Sequence, residues 1–529
     1  MKLLAAVALA GLSLATEQQE PSHCCEALRN AGLGERIVEP GHESFTARLD
    51  NYFSQSAKLS PHCFVQPENA QEVSRAVVAL VEANRTAPCE FAVRSGGHMH
   101  FAGAAGTDKG VTIDLHQMSS VVHHSGNDTV SVLPGAVWGD VYKTLDKLGV
   151  MVVGGRSYTV GVGGLVIGGG NSYYAARKGL VCDNVAQFEV VLADGNIVTA
   201  SQNEHSDLFQ VLKGGSTNFG IVTRFDLMSF EGGNVFGGLV LYPETTHEEQ
   251  FQALINFGNK IYEDPFGSAI VISVYMSAMK VPLFMNAYDY TEAIDRPAVF
   301  EEFFAIQGNI SDTTGIRNMT SLADELEQPK SHRIQFSTLT FKNDIRVLRK
   351  AHELFKQTIA SLEEKAKFDF KVLALYQPVP TLFAEHGKAK GGNVLGLDRF
   401  DETLIMYEPY FAWEDSKEDE LFESHAQKLR DDISTFAASV GADNPFIYLD
   451  YADISQRPLE SYGAENVAKI RAAAAKYDPQ GVFQHMMPGG FKISKVRRTS
   501  HSVTAGFLID LQVDSEVGSA PDQPWHDEL

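Results

Sequence analysis

Arg94-Ser95-Gly96-Gly97-His98 directly follows the apolar run Phe91-Ala92-Val93. A strand that ends in Ser-Gly-Gly turns sharply and exposes bare backbone N–H groups, which suit an anion such as a pyrophosphate. The His98 side chain would then lie within reach of whatever is bound. Because Gly-Gly-His also occurs in ordinary turns, the pentapeptide alone leaves both interpretations open.

A second glycine-rich stretch occupies residues 154–170. A Rossmann fingerprint, G-x-G-x-x-G, would need its third glycine at Val166 or at Tyr173, depending on the register. The fingerprint fails in both registers, which disfavours a nicotinamide dehydrogenase. The many glycines between Val and Ile still indicate either a large flat ligand pressed against the main chain or a strand packed closely on its neighbour.

With these two stretches in place, the chain resembles the berberine-bridge-enzyme-like FAD-linked oxidases, a fungal type within the vanillyl-alcohol-oxidase-type flavoproteins. The resemblance runs from about Cys63 to Phe491 and rests on ordered motifs rather than on one pattern. The motifs are Arg94–His98, Val160–Gly164, Gly168–Gly170, Cys182–Val185, Gly214–Gly215, Asn218–Val222, Tyr448–Asp453 and Tyr462–Gly463.

The resemblance implies an α+β fold of two domains. The FAD domain would consist of two packed α+β subdomains, and the substrate domain of an antiparallel sheet covered by helices. Hydrophobic periodicity predicts long helices near 246–262, 343–364 and 417–439 and a strand at 404–407. The expected segments are a signal peptide (1–15), an N-terminal segment (16–57), the FAD-binding domain (58–230), the substrate domain (231–445), a C-terminal segment returning to the FAD domain (446–495) and a tail (496–529).

The resemblance also implies that His98 forms a covalent bond to the 8α-methyl carbon of FAD. Many members add a second bond through a cysteine, but Ser157 and Tyr158 stand where that Cys and its Pro would be, so a single link is expected. Asp450 replaces an asparagine of the family pattern. The candidate cofactor-binding residues are Arg94, Ser95, Gly96, Gly97, His98, Gly155, Ser157, Thr159, Val160, Gly161, Gly163, Gly164, Gly169, Gly220, Ile221, Val222, Tyr448 and Asp450.

The catalytic candidates are Tyr407, Glu408 and Tyr410, in a run predicted to be a strand. In a strand Glu408 and Tyr410 share one face and Tyr407 points to the other. The implied reaction moves a hydride from a carbon of a small-molecule substrate to flavin N5 while a base takes a proton, and oxygen then gives hydrogen peroxide. The alternatives are oxidative or redox-neutral cyclisation of a secondary metabolite, or a lumenal protein that only binds flavin. No metal site is predicted.

The two ends of the chain resemble targeting signals. Met1-Lys2 precedes an apolar stretch up to Leu14, which predicts a signal peptide cleaved near Ala15. The last residues, His526-Asp527-Glu528-Leu529, match the sequence read by the retrieval receptor of the endoplasmic reticulum, so we expect that lumen, with secretion as the alternative. Sequons for N-glycans begin at Asn84, Asn127, Asn309 and Asn318.

The net charge limits the classes of partner, and the cysteine positions limit the possible disulfide pairings. A net charge of -23 over 529 residues, with no basic stripe, argues against nucleic acid as a partner. No later segment has the roughly 20 consecutive apolar residues of a membrane span. Adjacent Cys24 and Cys25 cannot easily pair with each other, so each would pair with Cys63 or Cys89, which leaves Cys182 as a buried thiol.

Overall fold

The structure is a computed structural model that describes residues 22–330 and 332–497. The predicted signal peptide, its cleavage site and the C-terminal retrieval sequence lie outside the described residues. Within them, no helix is long and apolar enough to cross a membrane. The described part of the chain contains three β-sheets.

The first sheet has four strands in the order β1-β2-β4-β3, and the pairs β2/β4 and β3/β4 are parallel. Every residue of its central strand, Gly-Val-Thr-Ile-Asp, is buried, as expected for a parallel strand covered on both faces. The strand β3 ends at Arg94, immediately before the glycine turn. The strands are β1 (Ile37–Val38), β2 (Cys63–Val65), β3 (Glu90–Arg94) and β4 (Gly110–Asp114).

The second sheet is antiparallel, with the order β5-β6-β10-β8-β9 and with β7 paired to β10. The strands β8 and β9 form a hairpin, because Val191 pairs with Ile197 across a tight turn. The first two sheets are the two subdomains expected of the FAD domain. The strands are β5 (Val121–His124), β6 (Thr129–Val132), β7 (Val150–Val152), β8 (Val185–Val191), β9 (Ile197–Ser201) and β10 (Ile221–Glu231).

The third sheet has ten antiparallel strands in the order β14-β11-β13-β12-β18-β19-β17-β20, with β15 paired to β11 and β16 to β19. In the sequence, its first strand, β11, follows directly after β10, the last strand of the second sheet. The strands are β11 (Val235–Pro243), β12 (Gly267–Met276), β13 (Leu283–Tyr290), β14 (Ser311–Asp312), β15 (Gly315–Arg317), β16 (Arg333–Phe336), β17 (Leu339–Lys342), β18 (Phe370–Val379), β19 (Leu404–Trp413) and β20 (Asp443–Asn444).

Three long helices, at the positions that the periodicity predicts, cover one face of the third sheet. Phe251 of α8 packs on Tyr376, and Phe422 of α13 stacks on Trp413. The helices are α1 (His23–Leu28), α2 (Glu43–Asp50), α3 (Ala70–Ala83), α4 (Trp138–Leu145), α5 (Val162–Gly168), α6 (Ala175–Lys178), α7 (Ser206–Leu212), α8 (His247–Lys260), α9 (Glu301–Phe304), α10 (Met319–Glu325), α11 (Ile345–Lys365), α12 (Leu382–Ala389), α13 (Asp419–Ser439), α14 (Pro458–Ser461), α15 (Ala464–Tyr477) and α16 (Val482–His485).

The sequence of α11 shows why such a helix forms there. The Asp344 side chain accepts a hydrogen bond from the backbone N–H of Arg346 at 2.9 Å, which caps the first turn. Buried residues then recur three or four positions apart, which places one apolar stripe against the sheet. The stripe consists of Val347, Leu348, Ala351, Phe355, Ile359 and Leu362.

The two ends of the described chain both pack on the first two sheets. Disulfides join Cys24 to Cys89 and Cys25 to Cys63, so the structure chooses between the two pairings that the sequence left open. Cys182 is a buried free thiol, as predicted. The C-terminal segment contacts the first sheet: the Phe91 N–H donates to the carbonyl of Met486 at 2.8 Å.

Candidate active site

A cavity of about 330 Å³ lies between the glycine turns and the face of the third sheet that the helices leave uncovered. Its two sides differ in chemistry. The side that we call the glycine wall consists of Ser95, Gly96, Gly97, His98, Val160, Gly161, Gly163, Gly164, Gly220, Ile221 and Val222. The side that we call the sheet wall consists of Ile270, Ile272, Met285, Phe336, Leu373, Leu375, Glu408 and Tyr410.

The glycine wall brings the two glycine-rich stretches into direct contact. A Cβ atom added to Gly96 would lie 2.6 Å from the backbone nitrogen of Gly161, so the two turns pack main chain against main chain. Gly97 has a φ of +67°, which favours glycine. A Cβ added to Gly164 meets nothing within 4 Å, so a side chain there would project into open space. The wall therefore exposes main chain along the cavity.

His98 projects from this wall in a fixed orientation. Its ring stacks on Phe53, with centroids 3.8 Å apart, and its Nε2 lies 3.4 Å from Oγ1 of Thr159. Burial lowers the pKa of His98 to about 4, although the charge of Glu327 opposes that shift. The imidazole is therefore neutral at physiological pH and keeps one nitrogen lone pair available as a nucleophile.

Ser157 stands at the position where the resemblance would imply a second, cysteine-based link to the flavin. Its hydroxyl donates to Oε2 of Glu327 at 2.7 Å, and the backbone N–H of Thr159 donates to the same oxygen at 3.0 Å. The Glu327 carboxylate thus fixes the loop that contains Ser157. The Ser157 hydroxyl is engaged in a hydrogen bond and offers no thiol.

Four predicted cofactor-binding residues do not line the cavity. Arg94 is buried beneath the turn, with its guanidinium 3.9 Å from the centre of the Tyr52 ring, because it is the last residue of β3 and points away from the glycine wall.

The other three residues lie behind the wall or beside it. Gly155 packs on Trp138, and Gly169 packs near Leu395 and Tyr448. Thr159 reaches His98 rather than the cavity. These four residues support the glycine wall from behind.

Tyr448 and Asp450 do line the cavity, and the structure gives the Asp450 carboxylate definite partners. Its Oδ2 accepts from the backbone N–H of Gly170 at 3.1 Å and from the Tyr448 hydroxyl at 2.8 Å. Burial raises the pKa of Asp450 to about 7, against the opposing hydrogen bond from Tyr448. The Tyr448 oxygen in turn accepts from the N–H of Asn171 at 2.7 Å.

The three catalytic candidates lie on opposite faces of β19, as the alternation of side chains along a strand predicts. Glu408 and Tyr410 line the cavity, whereas Tyr407 is buried on the helix-covered face against Tyr376 and Phe341. Tyr407 is therefore corrected from catalytic candidate to core residue, because a strand side chain on the opposite face cannot reach the cavity. All ten residues of β19 are buried, so both of its faces are packed.

A polar cluster surrounds Glu408. Arg156 donates to the Gln377 side chain at 2.7 Å and to the Tyr451 hydroxyl at 2.6 Å, and Gln377 donates to Glu408 at 3.5 Å. Burial raises the pKa of Glu408 to about 8, while the positive charge of Arg156 opposes the shift. A carboxyl group with a pKa near 8 can exchange protons at physiological pH.

A group of possible metal ligands, Glu244, His247 and His352, lies among the described residues. The Glu244 carboxylate already accepts from Lys356 at 3.1 Å and contacts the ring of His352 at 2.8 Å. The Lys356 ammonium group supplies the positive charge that a metal would bring, and we assign no metal to this group.

Known proteins are similar to this chain over most of its length. Residues 61–201 match the FAD binding domain family. The FAD-dependent monooxygenase drtC of Aspergillus calidoustus is 39% identical over 478 residues, which cover 90% of this chain and 91% of the relative. The FAD-dependent monooxygenase sdcF of Emericella nidulans is 41% identical over 476 residues, which cover 89% of this chain and 98% of the relative. This chain belongs to the FAD-linked oxidoreductases of the berberine-bridge-enzyme-like family.

Solved structures agree with the fold of this FAD-linked oxidoreductase. Xylooligosaccharide oxidase from Myceliophthora thermophila superposes with a TM-score of 0.72 at 21% identity, covering 87% of this chain and 98% of that one. Berberine bridge enzyme from Eschscholzia californica superposes with a TM-score of 0.68 at 16% identity, covering 88% and 98%. At these identities the likeness describes the architecture.

The residues present fit FAD. Six of the eleven residues of the glycine wall are glycines, so much of the wall is bare main chain, as a large flat ligand requires, and at Gly490 an added Cβ would meet only Thr217, at 3.7 Å. The cavity volume is also within the usual range of roughly 300–1,000 Å³ for ligand sites. The glycine wall would hold the cofactor, and the sheet wall would face its ring system and the substrate.

Several residues that the structure places in the site of this FAD-linked oxidoreductase were not predicted from the sequence. Arg156 lies inside the quoted glycine-rich stretch and Tyr451 inside the C-terminal motif, so both had a signal. Gln377, Glu327 and Phe53 had none, because each reaches the site from an otherwise ordinary segment.

Proposed function

We propose that this protein is an oxidase with FAD covalently attached to His98 and acting on a small apolar molecule that carries a ring and a hydroxyl group. FAD held by the glycine wall would supply a hydride acceptor for a substrate carbon and would pass the electrons to oxygen, giving hydrogen peroxide. The observation that carries the proposal is the sheet wall, where one buried carboxyl group and one tyrosine lie in an otherwise aliphatic and aromatic surface.

The composition of the sheet wall favours an apolar substrate over a sugar. Most of the lining side chains of the described wall lack hydrogen-bonding groups. Each sugar hydroxyl buried there without a partner would cost about 1–3 kcal/mol. A ring system would instead gain about 25 cal/mol for each Å² of apolar surface that it buries. An alcohol with an aromatic or alicyclic skeleton and a hydrogen on its hydroxyl-bearing carbon fits this balance.

Glu408 is the proposed base. Its carboxylate form would take the proton from the substrate hydroxyl while hydride leaves the adjacent carbon. Tyr410 shares the face of Glu408, and burial together with the Glu408 charge raises the pKa of its hydroxyl, so Tyr410 stays protonated and can donate a hydrogen bond to the substrate oxygen. Arg156 balances the negative charge of the deprotonated Glu408.

Peroxide release from two substrate panels tests the proposal. The purified holoenzyme should release hydrogen peroxide with apolar aromatic or alicyclic alcohols and not with oligosaccharides. Its yellow colour should survive denaturation and stay with the peptide that contains His98. Turnover of sugars alone would contradict the substrate class, and flavin that dissociates on denaturation would contradict the covalent link.

A second candidate is monooxygenation, which is what the names of the two relatives state. In that reaction one oxygen atom enters the product, whereas an oxidase releases both oxygen atoms as peroxide. Reaction under ¹⁸O₂ distinguishes the two: an oxidase gives unlabelled product with stoichiometric peroxide, and a monooxygenase gives labelled product.

We also propose that the protein resides in the lumen of the endoplasmic reticulum. The two disulfides fit an oxidising compartment, and the four sequon asparagines, Asn84, Asn127, Asn309 and Asn318, are exposed to solvent. Removal of Asp527–Leu529 should move the protein to the culture medium, and digestion with an endoglycosidase should lower its mass. Unchanged retention without these residues would contradict receptor-mediated retrieval.

A further inference from the structure

Glu327, whose carboxylate fixes the Ser157 loop, lies beside the cofactor cavity and close to His98. It follows the end of α10 and is half-buried. Besides the bonds from Ser157 and from the Thr159 N–H, it accepts a hydrogen bond from the Thr159 hydroxyl on its other oxygen, Oε1. Three donors therefore fix the position of the carboxylate next to His98.

The Thr159 hydroxyl connects Glu327 to His98. A hydroxyl has one hydrogen, and Thr159 donates it to Glu327, so its oxygen can only accept from the imidazole Nε2 that lies 3.4 Å away. This contact selects the tautomer of His98 that has hydrogen on Nε2. The lone pair is then on Nδ1, and stacking on Phe53 holds the ring plane.

We propose that Glu327, acting through the Thr159 hydroxyl, accepts the Nε2 proton of His98 while Nδ1 forms the covalent bond to the 8α-methyl carbon of FAD. This inference rests on the covalent link proposed above. Glu327 is thus a positioning and proton-accepting residue for cofactor attachment and has no part in substrate oxidation.

The bond exchange balances with dioxygen as oxidant. One C–H bond of the methyl group breaks and one C–N bond to Nδ1 forms. The methyl hydrogen and the Nε2 hydrogen leave as two protons, and the two electrons reduce one dioxygen molecule to hydrogen peroxide. The product is an uncharged, N-substituted imidazole. The Nε2 proton moves to the Thr159 oxygen as the Thr159 proton moves to Glu327.

The surroundings of His98 explain why attachment needs a proton acceptor. Attack by Nδ1 without loss of the Nε2 proton would leave a cationic ring. Burial opposes that cation, as the lowered pKa of His98 indicates. A carboxylate joined to Nε2 by one hydroxyl removes the proton without bringing water to the ring.

The test measures the rate at which full-length protein, produced with limiting flavin, attaches added FAD in air. The readouts are the flavin retained by acid-denatured polypeptide and the mass of the His98 peptide. Thr159→Val and Glu327→Gln should attach FAD about 100-fold more slowly, the usual size of a general-base contribution, while still binding it non-covalently. Thr159→Ser, which keeps the hydroxyl, should attach at the wild-type rate.

Glu325→Gln is the matched control, because Glu325 lies two residues before Glu327 and its carboxylate pairs with Arg317 rather than with the Thr159 loop. It should leave the attachment rate unchanged, and thermal melting shows which variants fold. Attachment at the wild-type rate in Thr159→Val, or slow attachment in a folded Thr159→Ser, would overturn the proton transfer alone. Wild-type protein without covalent flavin would overturn the link itself, so the two failures are distinguishable.

Discussion

The glycine wall and the sheet wall face each other across one cavity, yet they hold their ligands by different means. The glycine wall uses main chain, and its side chains are mostly absent because two turns must touch at Gly96 and Gly161. The sheet wall uses side chains on a rigid antiparallel sheet. The first arrangement suits a cofactor that never changes, whereas the second can vary from one relative to another without altering the fold.

Removing the one proposed covalent contact of the glycine wall should have the largest effect. In His98→Ala the fraction of covalently bound flavin should fall from nearly complete to zero, because no other nucleophile of this wall can replace the imidazole. Absorbance of the denatured, gel-filtered protein measures the fraction. His124→Ala, on the exposed strand β5, is the control and should keep its flavin. Covalent flavin in His98→Ala would show that another residue carries the link.

A substitution in the sheet wall should instead lower turnover and leave the attached flavin in place. Glu408→Gln should lower kcat by about 1,000-fold, the size expected for loss of a general base, while the flavin stays attached. Stopped-flow reduction of the flavin by substrate measures the step directly. Glu414→Gln, at the exposed residue that follows the last residue of β19, should behave as wild type. A wild-type reduction rate in Glu408→Gln would assign the base elsewhere.

The pH dependence of the wild-type enzyme should locate the base without mutation. Because burial raises the pKa of Glu408 to about 8, the active carboxylate is the minor form below pH 8. We expect kcat/KM to rise about tenfold per pH unit as pH increases towards 8 and then to level off. A profile that levels off near pH 4–5 would mean that Glu408 is not the base.

The smallest effect should come from the other face of β19. The Tyr407 hydroxyl is buried with no hydrogen-bond partner among the described residues. Tyr407→Phe should leave kcat unchanged and keep stability within about 1 kcal/mol of the wild type, because it removes a group that gains nothing from burial. Urea unfolding and peroxide assays measure both. A large loss of activity would contradict the assignment of Tyr407 to the core.

The sequence predicted the glycine wall better than the sheet wall. The motifs of the glycine wall are local, so His98 and its neighbouring glycines can be found by inspection. The alternation of β19 correctly separated Tyr407 from Glu408 and Tyr410, but it could not say which face meets the cavity, because every residue of this strand is buried. Packing of the helices on the other face settles that choice.

Contacts between distant parts of the chain could not be predicted. Ser157 and Glu327 are 170 residues apart, and Arg156 and Tyr451 are 295 residues apart, with no repeated spacing that would mark either pair. Arg94 shows the converse error. A charged residue beside an anion-binding turn suggests a ligand contact, whereas its position on β3 directs it under the turn, against Tyr52.

Residues 446–495 pack on the first two sheets, and this packing determines the stage of synthesis at which the protein can bind FAD. Tyr448, Asp450 and Phe491 line the same cavity as Gly96, and the Asn218 side chain donates to the carbonyl of Phe491 at 3.0 Å. A nascent chain that has reached only the end of the third sheet has therefore not yet built the cavity. Cofactor loading must follow synthesis of nearly the whole polypeptide, after the first two sheets have formed.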